Sequence, residues 1–201
     1  MRQRRLSTVL FLLAIFLMGI VGEARAEQTI VFLRHGEKPS GGYGQLTCQG
    51  FNRSLALPAV LLAKYGTPNI LYAPSPAVKI TDSAGSFYYD RPLATLEPLA
   101  VRLRMDIWSK YGYSDIGSLE TALITPTKDN TTIFVAWEHL YLQKLVQNIM
   151  NAYGGHLVVP TWPSTDYDSL FVVRVNYGSA ITASFHQDHE GLNGRSATCG
   201  F

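Results

Sequence analysis

The chain has 201 residues, 47% of them hydrophobic and 16% charged, with 17 Lys and Arg against 15 Asp and Glu for a formal net charge of +2. That content is enough for one sizeable core, and it excludes a disordered or low-complexity protein. No period of 20 to 50 residues recurs, which excludes repeat architectures.

Arg2, Arg4 and Arg5 open the chain, an uncharged, mainly apolar stretch runs from Leu6 to Gly22, and Ala24-Arg25-Ala26 supplies a small-x-small site. This order reads as a cleavable signal peptide over 1–26, leaving a single domain over 27–201. The competing reading is a retained anchor, since the stretch lies near the lower length limit for a span. The segment holds four arginines and one glutamate, so without it the net charge passes from +2 to −1. The basicity therefore belongs to the targeting segment, and no nucleic-acid surface is expected. The expected location is periplasmic or secreted, with no stable membrane anchor after cleavage. Such a compartment permits a disulfide between Cys48 and Cys199. Two buried thiols or an intermolecular pair remain open beside it.

Thr29 to Leu33 reads as a buried strand ended by Arg-His-Gly. Ser40 to Gly44 is a glycine-rich loop. Phe51, Leu55, Pro58 and Leu62 fall at helical spacing and predict a helix over 49–65, which Pro58 would kink or open. Asn69 to Ala73 reads as a second strand, and 74–87 as an irregular insertion rich in Pro, Ser, Ala and Gly. Leu96, Leu99 and Leu103 suggest a helix over 92–104, against which Pro98 counts. Thr132 to Trp137 is strongly β, and Leu142, Leu145, Val146, Ile149 and Met150 form a helical face. Leu170 to Val175 is a further strand, Ala180 to Phe185 a last edge strand, and 186–201 a loop-like tail. Alternating strands and helices predict an α/β three-layer sandwich around a mostly parallel sheet, with ligands beyond the carboxyl ends of its strands. Arg34-His35-Gly36-Glu37 and Glu138-His139 fall at such ends.

Phosphoryl transfer needs a nucleophile and fixed positive donors for the equatorial oxygens. Neutral histidine can attack, arginine binds phosphate through a planar fork, and glycine admits a close backbone approach. Leu33-Arg34-His35-Gly36-Glu37 offers all of these within five residues. The segment resembles the signature of the histidine phosphatase superfamily, the phosphoglycerate mutase-like proteins. Leu46-Thr47 with Gly50 and Arg53, Arg91 with Thr95 and Glu97-Pro98-Leu99-Ala100, and Phe134 to His139 follow in that family's order. The resemblance spans roughly 29–177.

It implies a phosphoglycerate mutase-like fold and a metal-independent phosphatase that needs no cofactor, which the signal segment would make an exported one. It further implies a phosphohistidine on His35, with Arg34, Arg91 and His139 holding a small phosphorylated substrate. Lys79 could take the place of Arg91, but a lysine cannot make the bidentate fork. The general acid lies between Glu138, preferred for its place at a strand end, and Glu120; Leu140 stands where some members carry aspartate. A phosphate-binding protein without turnover, a mutase-like phosphotransferase and a protein phosphohistidine phosphatase are the alternatives. Arg53 reads as a helix-surface or supporting residue rather than a ligand, and Glu37 as an orienting one. His156, His186 and His189 read as surface or loop residues, and His186 to Glu190 as a poor metal site. Trp162, Asp166 and Asp168 read as turn chemistry before a strand, with Asp168 near the pocket.

Overall fold

The computed structural model describes residues 26–126 and 129–200. The signal-peptide reading falls on 1–25 and so lies outside the described residues, apart from Ala26, the first residue of a strand. Eight strands and four helices appear among the described residues. In chain order they are β1 (Ala26–Arg34), α1 (Cys48–Tyr65), β2 (Ile70–Tyr72), β3 (Ile80–Asp82), β4 (Gly85–Phe87), α2 (Arg91–Leu103), β5 (Ile107–Trp108), α3 (Ile116–Leu123), β6 (Thr131–Trp137), α4 (His139–Tyr153), β7 (Ser169–Tyr177) and β8 (Ile181–His189).

Six strands form one sheet in the order β5-β2-β6-β1-β7-β8. From β5 to β1 all pairings are parallel, and β7 and β8 join antiparallel. The run Ile30-Val31-Phe32-Leu33 is wholly buried, as expected of a central strand covered on both faces. Alternate side chains feed two cores. Val31 and Leu33 pack with Leu57 and Leu61 of α1 and Leu96 and Leu99 of α2. Ile30 and Phe32 pack with Leu119 and Leu123 of α3 and Leu142, Leu145 and Ile149 of α4. Helices on both faces of one sheet make the three layers.

Several expectations are corrected. The segment 74–87 is not wholly irregular: β3 and β4 form a two-stranded hairpin separate from the main sheet. Pro58 lies within α1 and Pro98 within α2, and neither ends its helix. The buried face of α1 carries Gly50, Arg53, Ser54, Leu57, Pro58 and Leu61. Leu55, placed on that face by spacing, is 55% exposed. The edge strand β8 continues to His189, so 186–189 is strand, because the long partner β7 offers a full antiparallel ladder from Ser169 to Tyr177. Cys48 and Cys199 are joined in a disulfide with their Cα atoms 4.9 Å apart.

Candidate active site

β1 and β6 are neighbours in parallel register, Arg34 opposite Trp137, and the ladder continues one step as His35 N–H donates to Trp137 O at 3.2 Å. Both carboxyl ends therefore stop at the same level, and Arg34-His35 meets Glu138-His139 there. Arg91 arrives from the first turn of α2. Thr95, one turn on, accepts from Gly36 N–H at 2.9 Å and donates to Arg91 O at 2.8 Å. That hydroxyl fixes the start of α2 against the residue after His35. The five site residues expected from sequence, Arg34, His35, Arg91, Glu138 and His139, line one cavity of about 340 Å³.

His35 is 2% exposed. Its Nδ1 lies 2.7 Å from Gly36 O. A carbonyl can only accept, so Nδ1 carries the proton and Nε2 keeps its lone pair. Burial, then the charges of Arg91, Arg34 and Lys38, push its pKa well below the ordinary histidine value, against a smaller upward effect of the Gly36 bond. The imidazole is therefore neutral around pH 7. Tyr89 meets the ring edge-to-face at a 5.9 Å centroid distance.

Arg34 is held from the loop before β7. Its Nη1 donates to Ser164 O at 2.7 Å and Asp166 O at 2.9 Å, and its guanidinium lies 3.9 Å over the Tyr167 ring. Arg91 Nη1 donates to Gly42 O at 3.1 Å and to Asp82 Oδ2 at 3.0 Å. Three buried donors or hydroxyls around His35 have no hydrogen-bond partner: Arg34 Nε, Arg91 Nε and the Tyr89 hydroxyl. An unpaired buried donor costs about 1–3 kcal/mol. Two of them, Arg34 Nε and Arg91 Nε, belong to residues that line the cavity, and they suit a ligand rich in acceptor oxygens.

Glu138 is the N-cap of α4. Its Oε2 accepts from Leu140 N–H at 2.8 Å and Tyr141 N–H at 3.0 Å, and its Oε1 lies 2.6 Å from His139 Nδ1. Burial pushes its pKa up, but the His139 contact and the two backbone bonds outweigh that and hold it below the usual carboxylate range. This is a poor setting for a proton donor. Glu120, the other acid considered, accepts from Asn148 and lines a different cavity with Ile124 and Tyr153. Asn148 is nine residues beyond His139 on α4, about 13 Å along the axis, so Glu120 is removed from the site. Lys79 is exposed, its Nζ 4.9 Å over the Tyr88 ring, and Arg91 rather than Lys79 reaches His35.

Arg53 is not a helix-surface residue. It is fully buried, gripped by both oxygens of Glu37 and bonded to Asp168, Glu190 and Asn193. Asp168 is thereby spent on Arg53 and the backbone of Gly191 and Leu192. Asp166 caps its own turn through Asp168 N–H, Ser169 N–H and the Ser169 hydroxyl. Trp162 is buried beside Phe171 and is core rather than turn. His186 and His189 stand exposed on β8, not in a loop, and Asp188 between them takes Lys64 and Tyr65. Lys38, Asp82, Tyr113 and Tyr141 also line the cavity and were not read from sequence. Asp82 hid in the segment taken as irregular; Tyr89, two residues before Arg91, carries no periodic signal. A larger cleft of about 630 Å³ between α1 and the tail has Arg195 as its only charged lining residue and lies away from His35.

No family model matches the sequence, and no curated protein matches it. Solved structures do. A SixA protein histidine phosphatase complexed with tungstate superposes with a TM-score of 0.56 at 15% identity, over 81% of this chain and 97% of that one. A phosphoglycerate mutase from Plasmodium falciparum gives 0.54 at 10% identity, over 82% and 92%. A mycobacterial glucosyl-3-phosphoglycerate phosphatase gives 0.51 at 13% identity, over 80% and 97%.

Proposed function

The chain has the fold of the histidine phosphatase superfamily, phosphoglycerate mutase-like, and we propose that it is an exported phosphatase hydrolysing a phosphomonoester through phospho-His35. The observation that carries this is the pairing of a neutral His35, its Nε2 lone pair free, with the two partnerless donors Arg34 Nε and Arg91 Nε of the same cavity. Tungstate in the SixA complex is an oxyanion of the kind such donors suit. In this reading His35 Nε2 attacks phosphorus, the arginines and His139 take the equatorial oxygens, and water then hydrolyses the P–N bond. The Cys48–Cys199 bridge supports export, since disulfides persist in oxidising compartments.

Incubating the purified protein with p-nitrophenyl phosphate, with and without EDTA, tests the reading. Release is expected to be insensitive to EDTA and to fall roughly 10³-fold or more in His35→Ala. Because His35 titrates well below the ordinary histidine value, the rate should not fall between pH 7 and pH 6 through its protonation. A folded protein that neither releases nitrophenolate nor binds phosphate or vanadate would end the phosphate-pocket reading.

A further inference from the structure

A phosphomonoester with an alkoxide-like leaving group needs a proton donor, and the site as described so far lacks one. Two carboxylates line the cavity, Glu138 and Asp82. Both Glu138 oxygens are engaged, one capping α4 and one against His139. The position after His139 is Leu140, and Glu120 lines another cavity.

Asp82 is different. It ends β3 on the separate hairpin, and its carboxylate bridges two cations of the cavity: Oδ1 takes Lys38 Nζ at 2.6 Å and Oδ2 takes Arg91 Nη1 at 3.0 Å. Its position is built into the backbone opposite. Gly42 has φ +87°, and a Cβ there would lie 2.2 Å from the Asp82 carboxylate, so this residue must be glycine for Asp82 to sit as it does. Ala84 N–H donates to Gly41 O at 3.2 Å, docking the hairpin tip on the same loop.

Arg91 is also a phosphate ligand in the reading above. When a dianionic phosphate engages Arg91, Asp82 shares or loses one of its two cations and gains an anion as neighbour. Both changes favour its protonated form. Seating the substrate on Arg91 therefore works against the downward pull of Lys38 and Arg91 on the Asp82 carboxyl.

Resting on the phosphatase reading, we propose that Asp82 is the general acid of this site, carried in from the β3–β4 hairpin. As the bond from His35 Nε2 to phosphorus forms, the bond from phosphorus to the ester oxygen breaks. That oxygen keeps the electron pair, takes the proton of Asp82 and departs as the alcohol. The Asp82 carboxylate then accepts a proton from the water that attacks phospho-His35, the P–N electrons return to the ring, and phosphate leaves.

The test compares phenyl phosphate, whose phenolate leaves poorly, with p-nitrophenyl phosphate, whose nitrophenolate leaves without help. In Asp82→Asn the kcat/KM for phenyl phosphate should fall ~10²-fold more than that for p-nitrophenyl phosphate, whose leaving group draws little on protonation. Retained nitrophenyl hydrolysis doubles as evidence of folding. Asp82→Glu should recover part of the phenyl rate. Equal losses on both esters in a folded variant would overturn the acid and leave Asp82 a positioning residue, and no loss on either would overturn the acid and leave Asp82 without a role in turnover. Wild-type protein that hydrolyses neither ester would overturn the phosphatase reading and the acid with it.

Discussion

Arg91 has two anionic claims on it, one met by Asp82 and one left open at Nε. Its planar fork lets both be served at once, which an ammonium cannot do. Arg91→Lys should therefore lower kcat/KM for p-nitrophenyl phosphate by roughly 10²-fold, as for loss of one oriented donor, with the thermal midpoint close to wild type. The residues after strand ends were legible in the sequence because chemistry there is compact: Arg34, His35 and Gly36 are contiguous, and Glu138-His139 follows a strongly β run. Asp82 and Tyr89 were not. They reach the site through a hairpin and the entry to α2, and neither contact leaves a periodic trace in the chain. The capping of α4 by Glu138 was not legible for a related reason. Its place beside His139 was visible, but an N-cap is defined by backbone N–H groups that a sequence does not display.

At the scale of elements, the site depends on how closely α1 approaches the turn after β1. Gly36 and Gly50 face one another: a Cβ on Gly50 would lie 2.5 Å from Glu37 O and 2.6 Å from Glu37 N, and one on Gly36 would lie 2.8 Å from Gly50 O. The glycine after His35 thus answers to a helix, where the sequence suggested an anion. Thr47 caps α1 from the same place, accepting from Gly50 N–H at 3.1 Å while its own N–H donates to Glu37 O at 2.8 Å. In an unconstrained helix interior Gly→Ala stabilises by roughly 0.5–1 kcal/mol. Here the clash is with backbone on a fixed turn, so Gly50→Ala should instead destabilise by about 1–3 kcal/mol. It should also lower turnover, because the turn that moves is the one holding His35. Denaturant midpoints and kcat measured on the same preparation check both. β1, β2, β6, β7 and β8 were legible from their composition and α1, α2 and α4 from their spacing, while the three-residue strands β3 and β4 were hidden in the Pro- and Gly-rich segment 74–87. The two-residue β5 is too short to carry a pattern, and α3 was missed although Ile116, Leu119 and Leu123 keep helical spacing.

Across the molecule, Arg53 gathers distant parts of the chain. Glu37 follows the β1 turn, Asp168 precedes β7, and Glu190 and Asn193 follow β8. Three carboxylates surround one guanidinium, so they cannot all ionise cheaply, and the most buried of them is the one whose charged form burial disfavours most. Burial, with Asp168 and Glu37 adding to it and Arg53 opposing, raises the Glu190 pKa to about 8. Its unfolded value is about 4.3. A folded-state pKa raised above the unfolded one gives stability that is complete below about pH 4.3 and is lost as pH climbs through about 8. Glu190→Gln keeps a neutral acceptor for Arg53, and its urea midpoint should fall less than that of wild type between pH 5 and pH 9. A variant falling as steeply as wild type would assign the pH dependence elsewhere.

The bridge joins cysteines 151 positions apart, and the sequence holds only these two. Cys48 is therefore synthesised long before its partner exists and must wait as a free thiol at the first turn of α1. With a single possible ring there is no scrambled isomer to sort out, so no shuffling step separates the reduced chain from the correct bond. The one error open to it is to pair with another copy. The crosslink thus makes folding fidelity a matter of how crowded the nascent chains are, and of how soon an oxidant reaches them, rather than of which cysteine finds which.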